Sequence, residues 1–277
     1  MSDNRAIGVF DSGIGGLTVL REIWDQLPNE STVYFGDNGR APYGTKSHDT
    51  IVKYSLEDTR FLVSQDVKLI VIACNTASAH AYKEVLANCD IPVVEVITPG
   101  AREAAKATRN GKIGIIATKA TIASDVYRQA VIKEAAALGI REPEIHSKAC
   151  PLFVSLAEEG FWDNDIARLA AKEYLSELKE AGVDTLVLGC THYPLLTKVI
   201  QEEMGEGVTL INAGKSVAAK VSSILSLHDM EAEDSSSGHK PTQSFFTSDN
   251  PLSFEDIASP FLGGGRPSGT RHVDELI

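Results

Sequence analysis

No apolar run in this sequence is long enough to cross a bilayer: "LIVIAC" (69–74) and "TLVLGC" (185–190) reach about a quarter of the ~20 residues a spanning helix needs. No signal-peptide pattern opens it, so a cytoplasmic protein without membrane contact is the expectation. There is no C-x-x-C pair, and four cysteines, Cys74, Cys89, Cys150 and Cys190, are too sparse over 277 residues for the disulfide framework of a small secreted domain. Reduced thiols follow. The seven histidines are scattered, with no H-x-x-x-H pair beside a carboxylate, which excludes the common zinc patterns. No G-x-G-x-x-G marks a dinucleotide site and no lysine stands in a pyridoxal-phosphate context, so neither a metal nor another cofactor is expected. Positive charge is also short, with 26 Lys and Arg against 38 Asp and Glu and a net charge of −12. That balance argues against nucleic-acid binding, and at long range it repels an acidic ligand, which would need local donors.

What is present is an alternation of strand and helix signals through most of the chain, the pattern of parallel sheets covered by helices. "IGVF" (7–10) leads into a glycine turn and a helix carrying Leu17, Leu20, Trp24 and Leu27 at helical spacing. "TVYFGD" (32–37) reads as a strand, 47–65 as a helix, "LIVIAC" as a strand with helix 76–88 after it, and "VVEVI" (93–97) as a strand. The pattern then restarts. "KIGIIAT" (112–118) precedes a helix from about Ser124, and "TLVLGC" precedes one from about Pro194. The strands "IGVF" and "IGII" begin at 7 and 113, an offset of 106, and the strand-end Cys74 and Cys190 are 116 apart. Polar residues follow both members of each pair, which favours an internal duplication. The expected fold is α/β: two pseudo-symmetric three-layer lobes with mostly parallel sheets, 1–97 with 211–277 and 98–210, and an active site in the cleft between them. "VTLIN", helix 213–228, "SFFTSD" and the amphipathic stretch 252–262 are assigned to the first lobe, and the acidic, Ser-rich 228–240 to a solvated loop.

Ligands of open α/β sheets collect at the carboxyl ends of strands, where helix N-termini offer unpaired N–H groups. Five clusters lie at such ends: "FDSGIGG" (10–16), "GDNGRAPYG" (36–44), "CNTASA" (74–79), "ATKAT" (117–121) and "CTHYP" (190–194). Taken singly, Ser12 reads as a helix cap, Pro42 and Gly44 as turn residues with Tyr43 packed between them, and each cysteine as core packing. Arg40 and Lys119 read as exposed loop cations, and Cys89 and Cys150 as core or surface thiols. Cys74 and Cys190 at equivalent places change the balance. The helix dipole at Cys74 is expected to lower its pKa from about 8.5. One thiol on each face of a substrate carbon could remove a proton on one side and deliver one on the other, which inverts a stereocentre without a cofactor. A hydrolase built on Cys190 and His192 has no use for the second thiol.

The stretches "IGVFDSGIGGLTVL", "YFGDNGRAPYG", "IACNTASA", "PLFVSLAEEG" and "LGCTHYPLL" together resemble the cofactor-independent aspartate/glutamate racemase superfamily, and within it the glutamate racemases. The resemblance implies that Cys74 takes the α-proton from D-glutamate and Cys190 from L-glutamate. It implies further that Asp11 assists Cys74, His192 assists Cys190, and Glu158 supports His192. Ser12, Tyr43, Gly44, Asn75, Thr76, Thr118, Thr121 and Thr191, with Asp11 and His192, would hold the substrate. Most are hydroxyls, amides or glycines, neutral donors that suit carboxylates in an acidic protein. A homodimer and supply of D-glutamate for peptidoglycan are further implications. An aspartate racemase, a Cys–His amidohydrolase and a two-lobed binding protein are the rival readings.

Overall fold

The protein is described by a computed structural model covering residues 2–274 and 276. Ten strands occur among the described residues: β1 Ile7–Asp11, β2 Thr32–Gly36, β3 Leu69–Ile72, β4 Val93–Glu95, β5 Lys112–Ala117, β6 Glu144–Ala149, β7 Thr185–Gly189, β8 Thr209–Ile211, β9 Gln243–Thr247 and β10 Arg271–His272. They form a six-stranded sheet of order β10-β9-β2-β1-β3-β4 and a four-stranded sheet of order β6-β5-β7-β8. Every pairing is parallel. Such strands are covered on both faces and therefore read as continuous apolar runs rather than alternating ones. β1, β2, β3 and β7 are buried along their whole length.

Two compact units divide the chain: one takes the chain up to Val96 and from Gly214 onward, the other Ile97–Ala213. Within each, the first four strands stand in the same order, second-first-third-fourth. The duplication suggested by the sequence offsets is therefore repeated in the topology. One boundary is corrected. "VTLIN" does not join the first unit, because Thr209–Ile211 pairs with β7 in register from Thr185↔Thr209 to Val187↔Ile211.

Local chemistry sets the helix limits. Ser47 caps His48–Ser64 by accepting from the Thr50 N–H, and Asn164 caps Asp165–Ala181 by accepting from Ala167. Gly182 ends the latter at φ 74°, a conformation that costs a side-chain-bearing residue more. "VVEVI" is shorter than its apolar pattern suggests: β4 stops at Glu95 and Ile97 already begins helix Ile97–Ala107. The helix expected from about Ser124 begins at Val126 and runs to Ala137, and a short helix, Lys119–Ala123, precedes it, set off by Asp125 at φ 58°. Residues 228–240 are largely exposed but anchored. Lys68, fully buried, reaches the Met230 carbonyl (2.7 Å) and Glu30 (2.5 Å), and the Ala232 N–H donates to Glu30 (2.8 Å). Among the described residues no helix is long and apolar enough to cross a membrane.

The glycine turn after β1 is packed against β3. A Cβ on Gly16 would lie 2.6 Å from the Asp11 Cβ and 2.9 Å from both the Ala73 Cβ and the Tyr34 hydroxyl. Tyr34 in turn donates to the Gly13 carbonyl (2.8 Å), so the turn has little room to shift. Gly16→Ala is expected to cost about 1–3 kcal/mol by overpacking. Urea denaturation checks this; a loss below about 0.5 kcal/mol would show that the turn relaxes freely.

Candidate active site

In sheets of this strand order the chain reverses direction of winding between the first and third strands, and ligands settle outside their carboxyl ends. In the first unit those ends are Asp11 on β1 and Cys74 just beyond β3. In the second they are Thr118 beyond β5 and Cys190 beyond β7. Each of the two cysteines thus occupies the same topological place in its own unit.

Asp11 is fully buried, and one of its carboxylate oxygens accepts the Gly13 N–H (3.0 Å). Cys74 is the N-cap of helix Asn75–Ala87: its sulfur accepts the Ala77 N–H (3.4 Å), and its thiol donates to the Ser12 hydroxyl (3.5 Å). Asn75 and Thr76, both buried, open the helix beside it. The expectation that the helix dipole lowers this thiol's pKa is corrected. Burial, followed by the Asp11 carboxylate, pushes Cys74 up to about 12, against the hydrogen bonds that the Ser12 hydroxyl and the Ala77 N–H can offer the thiolate. Cys74 is held as a thiol, and its thiolate, once formed, is a strong base.

Cys190 is arranged differently. Its sulfur lies 3.8 Å from His192 Nδ1, and His192 Nε2 lies 2.8 Å from a carboxylate oxygen of Glu158, the last residue of helix Leu152–Glu158. Burial lowers the imidazole's affinity for a proton, but the partners Cys190 and Glu158 outweigh it and raise His192 to about 10. Acceptors on both ring nitrogens favour the imidazolium, which places a positive charge beside the Cys190 sulfur. Beneath them Tyr193 donates to the Cys150 carbonyl (2.8 Å) and packs edge-on against Phe153 at 5.4 Å, so the turn after β7 rests on the unit's core. Cys150 belongs to that core, and Cys89 is half-buried.

Thr118 caps helix Lys119–Ala123 by accepting from the Thr121 N–H, and the two hydroxyls lie 2.9 Å apart. Thr121 and Thr191 are buried, and Lys119, the first residue of that helix, is exposed. Tyr43 and Gly44 open a short 3-10 turn, Tyr43–Thr45, so their N–H groups precede any carbonyl of that turn. The Tyr43 hydroxyl does not face an open site. It contacts Asp37 and, at 2.8 Å, Asp58, so its ring anchors the turn and leaves the backbone to meet any ligand.

Arg40 is corrected as well. Instead of an exposed loop cation it is a partly buried guanidinium bonded to Asp37 (2.7 Å), Asp58 (2.8 Å) and Glu57, and lying over the Tyr54 ring at 4.1 Å. Sequence reasoning missed this group because its members come from two separate segments, the turn after β2 and helix His48–Ser64. The one local signal is Asp58 itself, an acid on the buried face of helix His48–Ser64 with Ile51, Ser55 and Leu62. Among the described residues no group of three or more His, Cys, Asp or Glu is placed to hold a metal ion.

The family model described as Asp/Glu/Hydantoin racemase matches residues 7–221. A glutamate racemase of Geobacter metallireducens is 52% identical over 260 residues, which are 94% of this chain and 93% of that protein. The crystal structure of a glutamate racemase isoform from Bacillus anthracis superposes with a TM-score of 0.91 at 40% identity, covering 99% of each chain. That of a Francisella tularensis glutamate racemase in complex with D-glutamate gives 0.88 at 39% identity over 98% of each.

The contacts of His192 have a measurable consequence. With its value raised from 6.5 to about 10, the proton it holds contributes stability that is fully present below about pH 6.5 and lost as pH rises through about 10. NMR titration should find the His192 ring still protonated at pH 8, and Glu158→Gln should move its midpoint down. A midpoint near 6.5 in the unaltered protein would contradict the imidazolium assignment.

Proposed function

Because this chain belongs to the Asp/Glu/hydantoin racemase family and is an isomerase of the racemase kind, we propose that it interconverts L- and D-glutamate by proton transfer at the α-carbon between two thiols and without a cofactor. The observation that carries this reading is the equivalent placement of Cys74 and Cys190, each beyond the third strand of its unit's repeated strand order.

The different surroundings of the two thiols suit different tasks. Inversion requires a base on one face of the α-carbon and an acid on the other, in opposite protonation states at the start of each turnover. Cys74, pushed up to about 12, enters as the acid, and Cys190, facing the His192 imidazolium, enters as the base. Cys190 then takes the α-proton of L-glutamate while Cys74 delivers one to the opposite face, which yields D-glutamate. The reverse direction begins with the two exchanged. Asp11 lies close enough to raise the basicity of the Cys74 thiolate that removes the proton of D-glutamate, and Glu158 keeps His192 oriented toward Cys190. Since the two thiols act on one substrate, their titrations belong to the pair.

The α-hydrogen beside a carboxylate is a far weaker acid than a thiol, so the transition state needs charge stabilisation in a dry setting. Ser12, Asn75, Thr76, Thr118, Thr121 and Thr191, with the Tyr43 and Gly44 backbone, would supply it as neutral donors that require no compensating buried cation. Glutamate is the substrate proposed because the relatives at 45–52% identity over more than nine-tenths of this chain are named glutamate racemases. The same likeness supports a cytoplasmic homodimer that supplies D-glutamate for peptidoglycan.

Purified protein under reducing conditions should change the optical rotation of either enantiomer toward the racemate. Cys74→Ser and Cys190→Ser should each lower kcat by at least about 10²-fold, the usual weight of one acid–base group. In heavy water the unaltered enzyme should place deuterium at the α-carbon of the product. A Cys74→Ser variant that racemised at the unaltered rate would rule out the two-thiol scheme.

A further inference from the structure

Beneath the Tyr43–Thr45 turn, three buried groups meet that the proposed chemistry does not use: the Asp37 carboxyl, the Asp58 carboxyl and the Tyr43 phenol, all fully buried. Their hydrogen bonds can be counted. Asp37 Oδ1 accepts the Ser248 hydroxyl (2.7 Å), whose oxygen is itself the acceptor of the Gly39 N–H (3.0 Å). Asp37 Oδ2 accepts Arg40 Nε–H (2.7 Å) and also meets the Tyr43 hydroxyl. Asp58 Oδ1 accepts Arg40 Nη2–H (2.8 Å), and Asp58 Oδ2 lies 2.8 Å from the same Tyr43 oxygen.

The phenol therefore sits between two carboxyl oxygens but carries one proton, which can serve only one of them. The other contact needs a proton of its own. On Asp37 that proton would compete with donors at both oxygens, whereas on Asp58 Oδ2 it points straight at the phenol oxygen. We infer that Asp37 is the anion and Asp58 the protonated acid of a chain, Asp58 to Tyr43 to Asp37, that locks the Tyr43 side chain and so positions the Tyr43 and Gly44 backbone. Charge agrees with the count. Among the described residues Arg40 bonds all three carboxyls, Asp37, Glu57 and Asp58, and the one further cation paired with them is Lys53, 4.0 Å from Glu57 on the exposed side. A proton on Asp58 reduces the excess negative charge that burial would otherwise penalise. Burial, and Asp37 beside it, push the Asp58 carboxyl well above the usual range, in the same direction.

Asp58 is thus a positioning residue, and that part of the inference rests on the reading that the Tyr43 and Gly44 backbone holds a substrate carboxylate. The two acids make opposite forecasts. Asp58→Asn keeps an acceptor toward Arg40 and a donor toward Tyr43, reproducing the protonated acid. Asp37→Asn turns an amide N–H₂ toward groups that are already donors. Asp58→Asn should melt with the unaltered protein and keep KM for D-glutamate within about twofold, while Asp37→Asn should melt at least about 3 °C lower. Asp37→Asn and Tyr43→Phe should also raise KM about five- to tenfold while kcat stays within about threefold, because the chemistry itself is untouched. The opposite melting order, or equal melting of the two Asn variants, would overturn the proton placement. A lowered melting point of Asp37→Asn with unchanged KM would overturn the positioning role. If the unaltered protein failed to racemise glutamate, the function above would fail, and the melting order would still decide where the proton sits.

Discussion

The pairing of the first strand with the third, β1 with β3 and β5 with β7, is the constraint on which the rest depends. Because the first strand lies between the second and the third, the chain winds one way and then the other, and the carboxyl ends of β1 and β3 border ground that no connection needs to cross. Residues at those ends are released from the sheet's ladder but remain inside the fold. Asp11, Ser12 and Cys74 stand there in one unit, and Thr118, Cys190 and His192 in the other. Helix starts at Asn75 and Lys119 add N–H groups in the same places. A polar site can therefore be assembled without interrupting the strands beneath it.

Repetition of the strand order did not bring repetition of the electrostatics. Cys74 shares its setting with a buried carboxylate and a hydroxyl, and Cys190 with an imidazole tied to a second carboxylate. Burial and the Asp11 carboxylate disfavour the thiolate in the first case, while in the second an imidazolium stands beside the sulfur. One backbone plan thus yields a protonated thiol and a paired one. A net charge of −12 is compatible with an acidic ligand on the same terms. Neutral hydroxyls, amides and helix N–H groups act at contact distance, whereas the overall charge acts through a screening solvent.

Much of the fold was legible because the strands are buried on both faces and read as unbroken apolar runs between glycine and polar punctuation. The failures have separate physical causes. "VVEVI" is apolar past the end of β4 because Ile97 is buried as the first residue of a helix, and periodicity does not distinguish the two over so few residues. "VTLIN" was placed in the wrong unit because strand pairing is a long-range choice. Arg40 looked like a loop cation because two of its partners, Glu57 and Asp58, lie on a helix remote from the turn. The candidate residues stand in the sequence as strand-end motifs, but their contacts do not: Glu158 lies 2.8 Å from His192, and the Tyr43 hydroxyl meets buried acids.

By itself the sequence determined the strand-and-helix alternation, the repeated strand-end motifs and the choice of residue types, two thiols among neutral donors. These depend on local patterning and on what each side chain can do. Only the tertiary structure decided the protonation of those groups: Cys74 as a high thiol, His192 as a cation between Cys190 and Glu158, and the acids around Tyr43 as a network. The physical reason is that proton affinity is set by desolvation and by charges within a few ångströms, and folding draws those neighbours from distant parts of the chain.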